Sequence, residues 1–288
     1  MPSKSSSLLR ALLVLGRISN LPTVWSNCLA GWWLGGDGNY EALPLLFVGA
    51  TLLYLGGMFL NDAFDVEFDR QYRKERPIPS EIIQAETVWR WGLILLAAGG
   101  VCVICLGKMT GILGIILIFS IIFYDAFHKQ TRLAPVLMGI CRLLLYLVAS
   151  STALNGVTGW SMWSGLALAL YIVGLSSLAR RESARGPVAY WPAMILAAPI
   201  LLALLLNAND YRQPAWLLSA VLALWILRSL RQLFRSNPAN VGRVVSSLLA
   251  GIVFVDWLAV ADAPRRFGFF FIAFFVCALL LQRIAPAT

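Results

Sequence analysis

Ten apolar stretches, each at or near the length of a helix that crosses a bilayer, leave this chain few ways to fold. They fall at about residues 18–36, 42–60, 88–107, 110–127, 134–154, 162–179, 190–207, 214–230, 241–260 and 267–283. At about 1.5 Å of rise per residue, roughly 20 residues cross the ~30 Å hydrocarbon core. The stretches are continuous rather than alternating, which argues for helices and against a β-barrel. Of the 288 residues 59% are hydrophobic and 13% charged, against roughly 25% charged in a soluble domain. The expectation is an all-α fold: a polytopic transmembrane bundle of nine or ten helices, the last two stretches being the weakest candidates. No linker or composition shift divides the chain, so residues 1–288 read as a single transmembrane domain. The opening "MPSKSSSLLRALLVLGRISN" is interrupted by Arg17 and lacks a small-residue cleavage site, so it reads as retained rather than as a signal peptide.

A net charge of +9 would raise nucleic acid as a partner for a soluble protein. Here the positions of the bases explain it instead, and no nucleic-acid partner is expected. With the N-terminus inside, the outer loops hold only Lys108, Arg212, Arg265 and Arg266, while Arg90 and Arg142 sit near or within helices. The other seventeen of the 23 Lys and Arg fall on inner segments. That bias places the N-terminus, and with it the chain's main acidic stretch, in the cytoplasm. All five cysteines lie in apolar segments, and "CVIC" at 102–105 lies mid-membrane without a His or acid nearby, so packing accounts for them. Trp89, Trp91, Trp160, Trp163, Trp191 and Trp216 fall near segment ends, where an interfacial belt is expected.

The acidic stretch is "LNDAFDVEFDRQYRKERPIPS", residues 60–80. If the second helix runs on through residue 69, Asp62, Asp65 and Asp69 stand at i, i+3 and i+7 on one face, with Glu67 turned away. Like charges so spaced repel by a few tenths of a kcal/mol per pair in water, and the helix C-terminus favours cations. Positive charge is therefore required there. Either Arg70, Arg73 and Lys74 pair with the acids at a solvated helix end, or the acids form a divalent-metal site. Oxygen ligands without nearby Cys or His suit Mg²⁺, which binds a few carboxylates together with substrate phosphate oxygens. A diphosphate is then the natural partner, its remaining charge met by the basic run that follows.

"NDAFDVEFDR" resembles the NDxxDxxxD motif of the UbiA superfamily of intramembrane prenyltransferases, and "ERPIPS" is similar to that family's RPLPSG. "RISNLPTVWSN" in the first span and "YDAFHK" after the fourth, close to the family's YxxxK, extend the likeness over most of the chain. The resemblance implies a Mg²⁺-dependent enzyme that ionises a prenyl diphosphate and alkylates a lipophilic acceptor, aromatic or hydroxyl, reached from the lipid bilayer. It implies that Asn61, Asp62, Asp65 and Asp69 bind metal and diphosphate. By the same resemblance Asp62, Asp65, Asp69 and Lys129 would form the catalytic set, and Arg73, Arg76, Lys129 and Arg132 would help hold the diphosphate. A dry cavity on the cytoplasmic side would keep water from the carbocation.

The family's second aspartate motif, roughly DxxxD after the sixth helix, is replaced by "SLARRESARG". Arg180 and Arg181 are expected to take over diphosphate binding from a second metal, with Glu182 coordinating one ion or orienting an arginine. The other reading is a positive-inside loop. "ARRES" and "VLMGICRLLLYLVAS" together resemble the EboC-like branch of the superfamily. Arg142 and Asp256 lie within spans, where charge is costly. Arg142 is a candidate diphosphate ligand and Asp256 a structural partner, while Asn27 and Tyr124 are candidate cavity residues. Asp125 is expected to pair with Lys129, and His128 to face the interface. The leading expectation is a prenyltransferase. The alternative is an isoprenoid-binding or transport-associated protein that has lost transfer through the altered second motif. Glu182→Gln is expected to lower prenyl transfer, and unchanged turnover would leave that loop as cytoplasmic charge alone.

Overall fold

The computed structural model describes residues 4–180, 191–206, 209–235 and 241–285, and every regular element among them is a helix. An N-terminal helix α1 (Lys4–Leu15) precedes a short 3₁₀ turn, Ile18–Asn20, which runs into α2 (Leu21–Leu34). Then follow α3 (Ala42–Phe64), α4 (Val66–Tyr72), α5 (Ala85–Cys105), α6 (Lys108–Phe127), α7 (Ala134–Ser150) and α8 (Gly159–Ala179). The seventh apolar stretch is split into α9 (Trp191–Ile195) and α10 (Ala198–Leu205), and the eighth forms α11 (Asn209–Arg235). The ninth is split at Gly251 into α12 (Val241–Ala250) and α13 (Ile252–Ala259), and α14 (Arg265–Leu281) is the tenth. Among the described residues, six helical segments are long and apolar enough to cross a membrane.

The bundle is built around α2, which touches α3, α7, α8, α13 and α14. Its residues from Leu21 to Trp32 are buried apart from Trp25. A helix enclosed on all sides cannot turn its polar residues to solvent. Thr23, Ser26 and Asn27, all buried, must therefore find partners inside the bundle.

Helices α3 and α5 approach backbone to backbone through glycines seven residues apart on each. A Cβ placed on Gly99 would lie 2.8 Å from Leu53 N and 3.0 Å from Gly49 O. One on Gly56 would lie 2.8 Å from Leu96 N and 3.0 Å from Gly92 O. Small residues permit this closeness in a membrane, where dispersion contacts rather than water exclusion hold helices together. The "GG" before the acidic motif thus seats α3, with Gly57 turned to Ile121 of α6.

The helical run through the acids is nearly continuous. Asp65 forms a hitch between α3 and α4, yet Asp65 N still donates to Asn61 O (3.1 Å) and Asp69 N to Asp65 O (2.9 Å). The chain then doubles back. Ile78 and Ile83 pack with Leu15 of α1, Phe59 and Ala63 of α3, Val66 and Val88. This small apolar cluster folds the N-terminal helix and the "ERPIPS" segment against the end of α3. Gly99→Val, forced against backbone that cannot step aside, is expected to cost about 1–3 kcal/mol. An unchanged unfolding temperature in detergent would refute the close α3–α5 contact.

Candidate active site

The three motif aspartates are buried, Asp62 at 4%, Asp65 at 8% and Asp69 at 2% exposure. Ionised carboxylates so placed need cations, and the fold brings them from three other segments. From the loop after α4, Arg76 Nη1 lies 2.7 Å from Asp62 Oδ1 and 3.5 Å from Asp69 Oδ2. From the end of α6, Lys129 Nζ lies 2.7 Å from Asp65 Oδ1, and His128 Nε2 is 3.5 Å from Asp65 Oδ2. Lys129 also sits 3.8 Å over the Phe68 ring, while Tyr124 stacks on His128.

The third segment is the start of the first span. Arg17 Nη2 donates to Asn61 Oδ1 (3.0 Å) and lies 3.3 Å from Asp62 Oδ1. Its backbone is left-handed, φ 40° and ψ 51°, a conformation costing of order 1–3 kcal/mol for a residue with a Cβ. That bend separates α1 from the 3₁₀ turn, and the Tyr54 hydroxyl donates to Arg17 O (3.1 Å) across it. Asn61, fixed by Arg17, turns its amide Nδ2 to Asp125 Oδ1 (3.1 Å).

The acids are not equivalent. Burial pushes the Asp65 carboxyl up, but hydrogen bonds from His128 and Lys129 outweigh it, and its pKa ends below the usual value. For Asp69 burial prevails: Arg76 offsets it only in part, Asp62 and Asp65 add to it, and its pKa is raised. Among the described residues, Asp69 Oδ1 and Asp125 Oδ2 are buried oxygens with no hydrogen-bond partner. Among the described residues, no three His, Cys, Asp or Glu side chains converge as a ready metal site. The aspartates hold side-chain cations instead.

A second polar group lies deeper. Arg142 of α7 donates through Nη1 to Asn27 Oδ1 (2.7 Å) and through Nη2 to Thr23 Oγ1 (3.2 Å). Asn27 Nδ2 donates to Asp256 Oδ2 of α13 (2.7 Å), which also accepts from Ser26. Between the two polar groups is an apolar cavity of about 90 Å³, lined by Val24, Leu53, Met58, Ile121 and Leu145 among others. Tyr54, Tyr124, Asp125 and Arg142 are the polar residues on its wall.

Several sequence expectations meet in this cluster: Asn61, Asp62, Asp65, Asp69, Arg76 and Lys129 are brought together, and Tyr124 and Arg142 line the cavity. Asn27 reaches Arg142 but is not on the cavity wall. Arg73 and Arg132 are exposed. Arg180 Nη1 donates to the carbonyls of Thr131 (3.0 Å) and Arg132 (3.3 Å), anchoring the turn after α6. Arg181 and Glu182 lie outside the described residues. The pairing expected for Asp125 is replaced: Lys129 goes to Asp65, and Asp125 is held by Asn61. Arg70 pairs with Glu67 rather than with the buried acids. Arg17 and His128 are the site residues that sequence reasoning missed. Arg17 had a signal, an arginine breaking an apolar run at the foot of the first span, but the positive-inside bias explained it away.

Fold and site define an integral-membrane helical bundle with a buried acid–base cluster at the end of one helix. A profile of the UbiA prenyltransferase family matches residues 19–252, and the chain belongs to that family. The digeranylgeranylglyceryl phosphate synthase of Ignicoccus hospitalis is 32% identical over 162 residues, 56% of this chain and 51% of that protein. The protoheme IX farnesyltransferase of Bacillus pumilus is 22% identical over 160 residues, 53% of this chain and 52% of that protein. The matches thus span about half the length of these curated relatives. Among solved structures, a UbiA homolog from Aeropyrum pernix K1 superposes with a TM-score of 0.68 at 16% identity, covering 86% of this chain and 98% of that one. A digeranylgeranylglyceryl phosphate synthase structure gives 0.58 at 18% identity, covering 95% and 99%. These two likenesses establish the fold.

The opposite pKa shifts give opposite expectations. A depressed carboxyl contributes stability above its unfolded pKa, lost as pH falls through the lower folded value. Asp65→Asn should therefore lower the unfolding temperature at pH 7. A raised carboxyl is harder to ionise in the fold than out of it, so Asp69→Asn should leave that temperature unchanged or raise it. Equal losses in both variants would contradict the assigned charge pattern.

Proposed function

We propose that this chain is an intramembrane prenyltransferase, moving a prenyl group from a polyprenyl diphosphate to a lipophilic acceptor with release of diphosphate. The observation that carries this reading is the cluster of buried Asp62, Asp65 and Asp69 interleaved with Arg17, Arg76 and Lys129 beside an apolar cavity. Charge so dense and so well matched is costly to build in a membrane bundle and suits a polyanion with an apolar tail. Arrival of a diphosphate would draw the three cations from carboxylate to phosphate oxygens, releasing the aspartates to hold divalent metal.

Mg²⁺ fits the donors: hard carboxylate oxygens, one of them, Asp69 Oδ1, already unpartnered. Asp62, Asp65 and Asp69 would hold the ion, which when bound helps neutralise the departing diphosphate. Glu182 remains a further candidate ligand, with Arg181 a candidate for the diphosphate. Arg17, Arg76 and Lys129 orient the diphosphate, so that the carbon–oxygen bond breaks with its electron pair going to the leaving group. The apolar wall excludes water from the allylic cation until the acceptor bonds to that carbon. The acceptor then gives up a proton, and an ionised Asp125, a residue of the cavity wall, would be the candidate to take it. Cations gathered at the foot of α3 and the positive-inside pattern together support a cytoplasmic site and a cytoplasmic N-terminus.

The replacement of the second aspartate motif by "SLARRESARG" favours one other reading, an isoprenoid-binding or transport-associated protein without transfer. Binding of geranylgeranyl diphosphate to detergent-purified protein, with and without Mg²⁺, tests the site. Native protein should bind in a Mg²⁺-dependent manner, and Asp65→Asn should weaken binding at least tenfold. Binding indifferent to both would overturn the proposal. Intact binding without transfer across a broad acceptor panel would favour the second reading.

A further inference from the structure

One residue with an unfavourable backbone serves both the acid–base cluster and the cavity. Arg17 is left-handed, φ 40° and ψ 51°. Its guanidinium reaches Asn61 and Asp62, while its carbonyl accepts from the Tyr54 hydroxyl at 3.1 Å. Such a backbone persists only where its surroundings enforce it, and it is enriched at functional sites. Asn61 and Asp62 belong to the acid–base cluster. Tyr54 stands two turns before Asn61 on α3 and lines the cavity. Arg17 thus ties a phenol ring of the cavity wall to the polar end of the site. That wall carries two aromatic residues, Tyr54 and Tyr124. One face of Tyr124 is taken by His128, with centroids 5.1 Å apart. The rest of the wall is mainly aliphatic, the Arg142 guanidinium on it is positive, and Asp125, its carboxylate, is engaged by Asn61. Positive charge formed in this space therefore finds few partners.

We propose that Tyr54 is a further catalytic residue, its ring face stabilising the allylic cation inside the cavity while the Arg17 carbonyl holds the ring in place. The proposal rests on the prenyltransferase reading and adds a residue to its chemistry. When the carbon–oxygen bond breaks, its electron pair leaves on the diphosphate and the allylic carbon is left positive. The face of an aromatic ring carries partial negative charge and attracts a cation within about 6 Å, more strongly where water is excluded. A phenol that donates its proton to a carbonyl is richer in ring electrons than a free one, so the bond to Arg17 O both orients the ring and strengthens its face. No bond forms to the ring. The cation is consumed when the acceptor's electron pair joins the allylic carbon and the acceptor's proton departs, leaving Tyr54 unchanged.

The test needs no acceptor. Detergent-purified full chain with Mg²⁺ is given geranylgeranyl diphosphate isotopically labelled at its bridging oxygen. Movement of the label to non-bridging positions, read by phosphorus NMR, reports reversible breaking of the carbon–oxygen bond. In parallel, inorganic diphosphate is supplied with a geranyl ammonium, a mimic of the cation, or with its uncharged carbon isostere, and binding is read by the shift in unfolding temperature. Tyr54 is replaced by Leu, by Phe, and by phenylalanines with successively more ring fluorines, which keep the ring's shape and drain its face. Label exchange should fall in the order Tyr, Phe, fluorinated Phe, with Tyr54→Leu lower by about tenfold or more, while geranylgeranyl diphosphate binds as before. Preference for the ammonium over its isostere should fall in the same order, and it decides the matter if native protein exchanges no label without an acceptor. A purely structural tyrosine acts through its hydroxyl: Tyr54→Phe would then show the whole loss together with a lower unfolding temperature, fluorination would change nothing, and the proposal would be overturned. Loss of diphosphate binding in Tyr54→Leu would also overturn it, making Tyr54 a contact for the bound substrate rather than for the cation. Native protein that binds the diphosphate but neither exchanges label nor prefers the ammonium forms no cation, which overturns the proposal and favours the protein without transfer. Failure of native protein to bind the diphosphate at all would instead remove the prenyltransferase reading, and the proposal with it.

Discussion

Three carboxylates buried at the end of one membrane helix cannot stand without cations, and meeting that need organises this end of the molecule. Asp62, Asp65 and Asp69 sit at 8% exposure or less, where an unpaired charge is costly. Their partners come from three places: Arg17 at the foot of the first span, Arg76 in the loop that doubles back after α4, and Lys129 with His128 at the end of α6. The left-handed Arg17, the packed Ile78 and Ile83 and the stacked Tyr124 and His128 are the local structures that deliver those cations. Asp69 shows the tension that remains, since burial and its two acidic neighbours raise its pKa against the pull of Arg76.

The same logic operates in the interior on a smaller scale. Enclosing α2 on all sides compels Thr23, Ser26 and Asn27 to bond within the bundle, and they do so to Arg142 and Asp256. This ties α2 to α7 and α13, while the glycine seam ties α3 to α5. The cavity lies between a polar cluster at the helix end and a polar network deeper in the bundle, with aliphatic walls between.

Much of the fold was legible because membrane spans are written locally. Among the described residues each of the ten apolar stretches is mainly helical, and the near-continuous run from α3 into α4 keeps the three aspartates together, as their spacing suggests. The splits that separate α9 from α10 and α12 from α13 were not legible, because a break inside a uniformly apolar run leaves little trace in hydropathy. Of the tryptophans near segment ends, Trp91, Trp160, Trp163, Trp191 and Trp216 are exposed, while Trp89 packs on Phe64. Pairings were the weakest inference. Local spacing suggested Asp125 with Lys129, and Arg70 with the motif acids, whereas the fold gives Lys129 to Asp65 and Arg70 to Glu67.

By itself the sequence determined that the chain is a membrane helical bundle and that three acids share one face at the end of a span, since hydropathy and i, i+3, i+7 spacing act along one segment. Only the tertiary structure decided which cation meets which acid, that Arg17 belongs to the site, and that Arg142, Asn27 and Asp256 form one network. Those contacts join residues far apart in the chain. Electrostatic pairing in a low-dielectric interior depends on a few ångströms of separation, and that distance exists only once the helices have packed.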